Sequence, residues 1–487
     1  MKRSIRIAGV AATAVAAAAQ TAGAVPAQKQ GQKQAPRPNV IMILSDDHSA
    51  PYLGCYGNPD IKSPNIDRLA AEGARFNYAF DCAPQSVPSR ASIMTGRNPV
   101  DVRMLRFSAP LAREYVTYPE IMRKAGYYVG VCGRVYHLDG TGGDAPESRE
   151  IIKNLGLITF PDRYNSVTME SDDKVAGRVE TFLGQVPQGS PFCLWVNYSD
   201  PHFPWTAKEF EPDPAKITVP TFLPDVPAVR EGLAGHYGEI MRVDSRIGDL
   251  MAVLKKHNLM DKTIILFMGD NGAAFPRGKG SLYDCGLHVP LIVRYPPMVK
   301  AGTVSDILVS AIDVAPTLLT MTGLKPDPQM EGVSFLPALK GDTAEIHKYA
   351  FGVRLTHASS LPTSSAAFDI SRSVFNKDYK LIYNAIWQIS YQPIDISGSP
   401  FWTDLVKLHD EGKLDKRFDR WFAPQRPMFE LYDMKADPDE FVNLYGDPRY
   451  AQVEHDLKYA LAKFMITYHD IAPTPFQGGK KGKGGGE

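Results

Sequence analysis

Net charge is what this chain lacks first: Lys plus Arg and Asp plus Glu number 54 each. With no global field, neither nucleic acid nor an anionic membrane is an expected partner, and any anionic ligand must be held by local cations. Cysteine is scarce, and Cys55, Cys82, Cys132, Cys193 and Cys285 form no Cys-x-x-Cys pair. That leaves a zinc ribbon and a redox dithiol unsupported; thiols set in apolar stretches are expected to be free and buried. Long apolar runs are missing too. Residues 7–19 are apolar and Ala-rich, and neither they nor any later stretch reach the about 18 residues that a membrane span needs. No internal repeat is evident.

The chain opens Met1-Lys2-Arg3-Ser4-Ile5-Arg6, and Thr21-Ala22-Gly23-Ala24 places small residues where a signal peptidase cuts. Residues 1–24 therefore read as a secretory signal peptide. No cysteine precedes Cys55, so no lipid anchor is expected at that junction. Residues 25–37, rich in Gln, Lys and Pro, read as a disordered linker, and the Gly/Lys tail 474–487 has nothing to bury.

Between these ends, short β-rich apolar runs alternate with helical patterns, the mark of an α/β sheet. Strands are expected over 39–44, 127–132, 192–198, 263–268 and 291–295, and helices over 65–76, 237–254 and 313–322. From about residue 348 the texture changes. Segments 358–368 and 394–424 look like insertions around strands at 379–383 and 428–432, and an amphipathic helix follows over 451–467. The expected organisation is an α/β domain over 38–347 and a smaller subdomain over 348–473, with an antiparallel sheet and one packed helix.

Four of the expected strands stop at chemically useful residues. They end in Asp46-Asp47-His48, in Gly133-Arg134 with His137 beyond, in Asp200-Pro201-His202, and in Asp270-Asn271-Gly272. Ligand crevices of open α/β sheets lie beyond the carboxyl ends of the strands, so parallel strands would bring these four clusters to one site. Asp46, Asp47, Asp270 and Asn271 offer hard oxygen ligands without sulfur or imidazole. That donor set suits Ca²⁺ or Mg²⁺ and argues against zinc or copper. Taken singly, each pair is an ordinary turn signal.

The run Ser86-Val87-Pro88-Ser89-Arg90-Ala91-Ser92-Ile93-Met94-Thr95-Gly96 resembles the sulfatase signature, in which the first residue is oxidised to formylglycine. A helix is expected over 89–95, with Ser86 just before it and Gly96 as its stop; a helix N-terminus favours an anion. The resemblance implies an alkaline-phosphatase-like α/β fold with a smaller C-terminal lobe. It implies a formylglycine hydrate at Ser86 held by Arg90, and a calcium ion (magnesium in second place) ligated by Asp46, Asp47, Asp270 and Asn271. It also implies sulfate binding by Lys279 and Arg134, and proton transfer by His137 and His202. Arg134 stands where most members carry Lys, which keeps the charge but replaces a point charge with a fork.

A Ser-type motif implies an oxygen-independent sulfatase-maturating enzyme as partner, and with it a bacterial periplasm. The resemblance runs over nearly all of residues 38–473. Phe275-Pro276, Gly278 and Leu282-Tyr283, Pro393-Ile394-Asp395, and Glu430-Leu431-Tyr432-Asp433 look most like the heparan N-sulfatase branch. Leu53-Gly54-Cys55-Tyr56-Gly57 is more like iduronate-2-sulfatase. The implied substrate is a sulfated glycosaminoglycan, with an N-sulfated glucosamine of heparin or heparan sulfate first. A homodimer is compatible with the resemblance. The rival readings are a phosphoester or phosphonate hydrolase, and a non-catalytic glycan-binding relative in which Ser86 stays serine. An oxygen-only donor set argues against the two-zinc phosphatases.

Overall fold

The computed structural model describes residues 37–106, 110–139, 145–357 and 365–476. The expected signal peptide, the linker through residue 36 and the tail from residue 477 lie outside the described residues.

Eight strands form the larger sheet. β1 (Asn39–Ser45), β2 (Ala74–Phe80), β3 (Tyr128–Gly133) and β4 (Ser166–Met169) come first in the chain. β5 (Phe192–Asn197), β6 (Thr263–Gly269), β7 (Leu291–Arg294) and β8 (Thr303–Ser310) follow. Their order across the sheet is β4-β3-β5-β1-β6-β7-β2-β8. β3, β5, β1 and β6 are parallel neighbours, with Met42 opposite Trp195 on one side and Leu266 on the other. β7 runs antiparallel to both β6 and β2, so the sheet is mixed.

β1 is apolar on both faces because both are covered, as a central parallel strand requires. α1 (Pro64–Glu72), α2 (Ser86–Thr95), α3 (Pro227–Lys256) and α4 (Val314–Met321) flank the sheet. Ala91 and Ile93 of α2 and Leu318 of α4 share one core with Val40 and Met42. Ile66 and Leu69 of α1 and Ile240 of α3 share the other with Ile41 and Ile43. Burying each large aliphatic side chain stabilises by roughly 1.5–3 kcal/mol.

Two helix boundaries differ from expectation. The helix expected over 65–76 stops at Glu72, and residues 74–76 begin β2. Gly73 packs so closely on β7 that a Cβ there would lie 2.3 Å from the Val293 carbonyl oxygen. Phe76 keeps the apolar spacing going, but as a buried strand residue. The helix expected from 237 begins at Pro227. Gly232, Gly235 and Gly238 depress helix propensity in that stretch, yet they serve packing. A Cβ at 232 would lie 2.8 Å from the Phe401 ring and one at 235 would lie 3.1 Å from Trp205.

The smaller sheet contains β9 (Ala350–Thr356), β10 (Phe368–Phe375), β11 (Tyr379–Asn384) and β12 (Phe429–Asp433). All its neighbours are antiparallel, in the order β12-β11-β10-β9. Between β11 and β12 lies α5 (Pro400–Asp410), and α6 (Ala451–Thr467) closes the chain. Leu457, Leu461 and Phe464 of α6 share a core with Val374 and Leu381, as the amphipathic pattern requires. The segment 394–424 does not stay with this sheet. Ile396, Phe401, Trp402 and Leu405 join the α3 side of the larger core instead. All five cysteines are free, with Cys82, Cys132 and Cys193 buried. No helix among the described residues is long and apolar enough to cross a membrane.

Candidate active site

The parallel run of β3, β5, β1 and β6 delivers the four strand-end clusters to one place, and α2 points its first turn at them. Ser86 is the first helical residue rather than the one before it, and Gln85 is the cap. Pro88 is tolerated in this first turn because the N–H it lacks has no helical partner there. Gly96 ends the helix in the left-handed region at φ 64°, its N–H donating to the Ser92 carbonyl, as the sequence predicts. Every residue of α2 is buried.

Ser86 shares its hydroxyl between Asp46 Oδ1 and Asn271 Oδ1, 3.1 Å from each. One turn on, Arg90 donates from Nε to Asp270 Oδ2 at 2.9 Å and from Nη2 to Asp46 Oδ2 at 3.0 Å. Its Nη1 reaches Asn197 Oδ1 at 3.3 Å. Asp47 adopts φ 62°, a conformation Asp tolerates, and its N–H donates to Asp270 Oδ1 at 2.9 Å. Asn271 Nδ2 donates to Asp47 Oδ1 at 2.8 Å. Arg134 lies 3.1 Å from Asp46 Oδ2, and His137 Nδ1 lies 3.4 Å from the same oxygen. A side chain at Gly133 would meet the Asn197 carbonyl oxygen at 1.9 Å, so only glycine lets β3 turn here.

Lys279 is buried and reaches Asp47 Oδ2 at 2.9 Å, Asp395 Oδ2 at 2.6 Å and His202 Nε2 at 3.1 Å. His202 therefore accepts at Nε2 and donates from Nδ1 to the Phe203 carbonyl, which fixes a neutral tautomer. Burial, with Lys279 beside it, pulls His202 down to about 4. Burial pulls His137 down to about 3. All ten residues singled out from the sequence thus gather in one cluster.

The carboxylates are crowded. Burial pushes Asp46 up, but Arg134 and Arg90 outweigh it and hold that carboxyl well below the usual range. Burial raises Asp47 to about 7; Lys279 opposes the rise, while Asp46 and Asp395 add to it. Burial and the repulsion of Asp46 raise Asp270 to about 6. Arg90, Arg134 and Lys279 thus compensate Asp46 but leave Asp47 and Asp270 raised, and a divalent cation among oxygen donors would favour their charged forms. Asp46, Asp47, Asp270 and Asn271 fit such an ion in chemistry. Asp46, Asp47 and His202 each present an atom within 4.8 Å of one another, whereas the Asp270 carboxylate is turned toward Arg90 and the Asp47 N–H.

Two groups escaped the sequence reading. Asp395, at φ 62°, faces Lys279, and His357 beyond β9 lies 3.5 Å from Asp395 Oδ1. Both come from the C-terminal half, where the strand that His357 follows is not among those expected from the sequence; the one signal was the Pro393-Ile394-Asp395 likeness. Asp395→Asn is expected to lower kcat/KM about 10- to 100-fold, or about 1.4–2.8 kcal/mol, by loosening Lys279 and His202. The melting temperature should fall as well, because buried Lys279 loses its strongest counter-charge. Steady-state kinetics beside thermal melting checks this, and an unchanged kcat/KM would remove Asp395 from the site.

A sulfatase family model matches residues 38–324. The chain belongs to the sulfatase family. A second family model, the C-terminal region of N-sulphoglucosamine sulphohydrolase, matches residues 277–411 of this sulfatase. An ulvan-active sulfatase of Formosa agariphila is 29% identical, over 90% of this chain and 76% of its own. Human N-sulphoglucosamine sulphohydrolase is 28% identical, over 89% of this chain and 90% of its own. A solved structure in complex with its substrate, D-glucosamine-2-N,6-O-disulfate, superposes with a TM-score of 0.67 at 20% identity, covering 91% of this chain and all of that one. The larger sheet, its helices and the antiparallel C-terminal sheet are therefore the sulfatase fold that the motif implied. The sulfatase is a sulfuric ester or sulfamate hydrolase, of a family that uses formylglycine and a divalent cation.

Proposed function

We propose that this sulfatase removes sulfate from glucosamine units of heparin or heparan sulfate fragments, N-sulfate first. It would use a formylglycine made from Ser86 and a divalent cation, Ca²⁺ in first place. The observation that carries the reading is the seating of Ser86. It opens a buried helix, aims at Asp46 and Asn271, and has Arg90 one turn behind and Lys279 across the site. The N-sulphoglucosamine sulphohydrolase match over 277–411 supports the sugar, because that stretch includes Lys279 and Asp395. The ulvan-active relative supports a second reading, an O-sulfate on another sulfated polysaccharide.

Asp46, Asp47, Asp270 and Asn271 would hold the cation, which supplies charge to orient sulfate oxygens and to stabilise negative charge developing on them. A formylglycine hydrate at Ser86 would supply the nucleophilic hydroxyl and a second hydroxyl for release of sulfate. Arg90 would hold that hydrate, its guanidinium fixed by Asp270 and Asp46. Lys279 and Arg134 would bind sulfate oxygens.

When the S–N bond breaks, its electron pair goes to nitrogen, and an amide anion cannot leave. A histidine must therefore protonate that nitrogen. His202 fits better than His137, its side chain being 21% exposed against 6%. An arriving sulfate anion favours the charged imidazole that this step needs.

Matured enzyme incubated separately with N-sulfated glucosamine, 6-O-sulfated glucosamine and sulfated galactose tests the substrate. The N-sulfated sugar is expected to show a kcat/KM at least about tenfold above the others, a margin of about 1.4 kcal/mol in the transition state. Release from galactose alone would overturn the glucosamine assignment and leave the sulfatase chemistry standing.

A further inference from the structure

The loop that carries Lys279 to the reaction centre has a second wall. Arg277, Ser281 and Tyr283 of the same loop line a cavity of about 370 Å³ between it and the smaller sheet. A cavity of that size is large enough for a monosaccharide. Four guanidiniums, of Arg277, Arg354, Arg420 and Arg426, line it against two carboxylates, Asp369 and Glu430.

Both acids are already engaged. Arg426 holds Asp369 in a two-pronged pair at 2.7 and 2.8 Å, and Arg420 holds Glu430 at 2.9 Å. Among the described residues, the hydrogen bonds of Arg277 and Arg354 go to carbonyls alone, those of Asp439 and Glu440 for the first and of Ser365 and Ala366 for the second, and Arg277 also stacks 3.9 Å over the Tyr283 ring. Arg354 is wholly buried.

Among the described residues lining the cavity, the polar atoms left over are all of one kind. Arg277 Nε, Arg354 Nε and Nη1, and Trp421 Nε1 are buried without a hydrogen-bond partner, and each is an N–H donor. Buried donors beside uncompensated positive charge call for an acceptor that is itself negative. Burial pulls the Arg354 guanidinium down to about 10, which leaves it charged at neutral pH.

We propose that this cavity is a second anion site, separate from the reaction centre, that binds an oxyanion through Arg354 and Arg277. Its occupant is a sulfate or carboxylate group, either the free sulfate that the reaction releases or an acidic group carried on a sugar. An occupant here would brace the Arg277–Tyr283 loop from behind, and with it the seat of Lys279. Occupancy requires no chemistry at Ser86, so the site stands or falls independently of the reaction proposed above.

Crystals of the Ser86→Ala protein, which cannot turn over, are soaked separately with selenate, glucosamine 6-sulfate and glucuronate. The expected result is an anomalous selenium peak within hydrogen-bond distance of Arg354 Nε and Nη1, lost in Arg354→Met. A sugar ring in the cavity assigns it to a glycan, and selenate alone assigns it to the released ion. Water alone in all three soaks overturns the proposal.

Thermal melting gives a second reading. In sulfate-free buffer Arg354→Met should melt at or above its parent, because an unpaired buried charge has gone. Saturating sulfate should then raise the parent by about 2–4 °C more than the variant. A variant that melts well below the parent and gains equally from sulfate makes Arg354 a staple for the 365–366 carbonyls, and the site is lost.

Discussion

Replacing Ser86 with Ala is expected to leave a folded protein whose sulfate release falls by about 10⁴-fold or more, the scale seen when a nucleophile is removed. The fold should tolerate the change. Ala suits the first turn of a helix, and the lost hydroxyl gives up bonds to Asp46 and Asn271 that contribute on the order of 1 kcal/mol. The same loss is expected without any substitution when the protein is made in cells lacking an oxygen-independent sulfatase-maturating enzyme. The tryptic peptide spanning Ser86 would then weigh about 2 Da more than its formylglycine form. Full activity from protein whose peptide carries only serine would sink the formylglycine reading.

Exhaustive chelation should lower the rate about 10³-fold, because it removes transition-state charge stabilisation of several kcal/mol, and about 4 kcal/mol corresponds to that factor. Asp47 and Asp270 are both held above the usual carboxylate range, so an added cation should also stabilise the fold. At a hundred times its dissociation constant, Ca²⁺ would add about 2.7 kcal/mol of stability, read as a rise in melting temperature without reference to activity. Asp270→Asn keeps an acceptor for the Asp47 N–H but loses a charge, and should show the low rate without the calcium-dependent rise. An unchanged rate in protein shown by elemental analysis to hold no divalent metal would remove the four-residue site.

Much of the reaction centre was legible because it is local to strand ends. Asp46-Asp47, Gly133-Arg134, Asp200-Pro201-His202 and Asp270-Asn271 each follow an apolar run, and the parallel order of β3, β5, β1 and β6 does the rest. What stayed hidden depends on contacts between distant stretches. Gly73 ends a helix because of the Val293 carbonyl, and the glycines of α3 answer to Trp205 and Phe401. No window of sequence around either contains its partner. Asp395 and His357 are hidden for the same reason: Asp395 pairs with Lys279, more than a hundred positions back along the chain, and His357 pairs with Asp395 in turn. The segment 394–424 looked like an insertion because its apolar residues serve the core of the other sheet.

That crossing segment divides the labour of the chain unevenly. Residues that would perform the cleavage all come from positions 46–279, whereas Asp395, which borders them, arrives on a strap bolted to α3 by Ile396, Phe401, Trp402 and Leu405. A change of length just before the strap, over 385–393, is expected to move Asp395 while Ser86, Arg90 and their partners stay where they are. The same bolt argues against a minimal enzyme: a chain ended at residue 347 would uncover part of α3 and leave Lys279 without its strongest counter-charge.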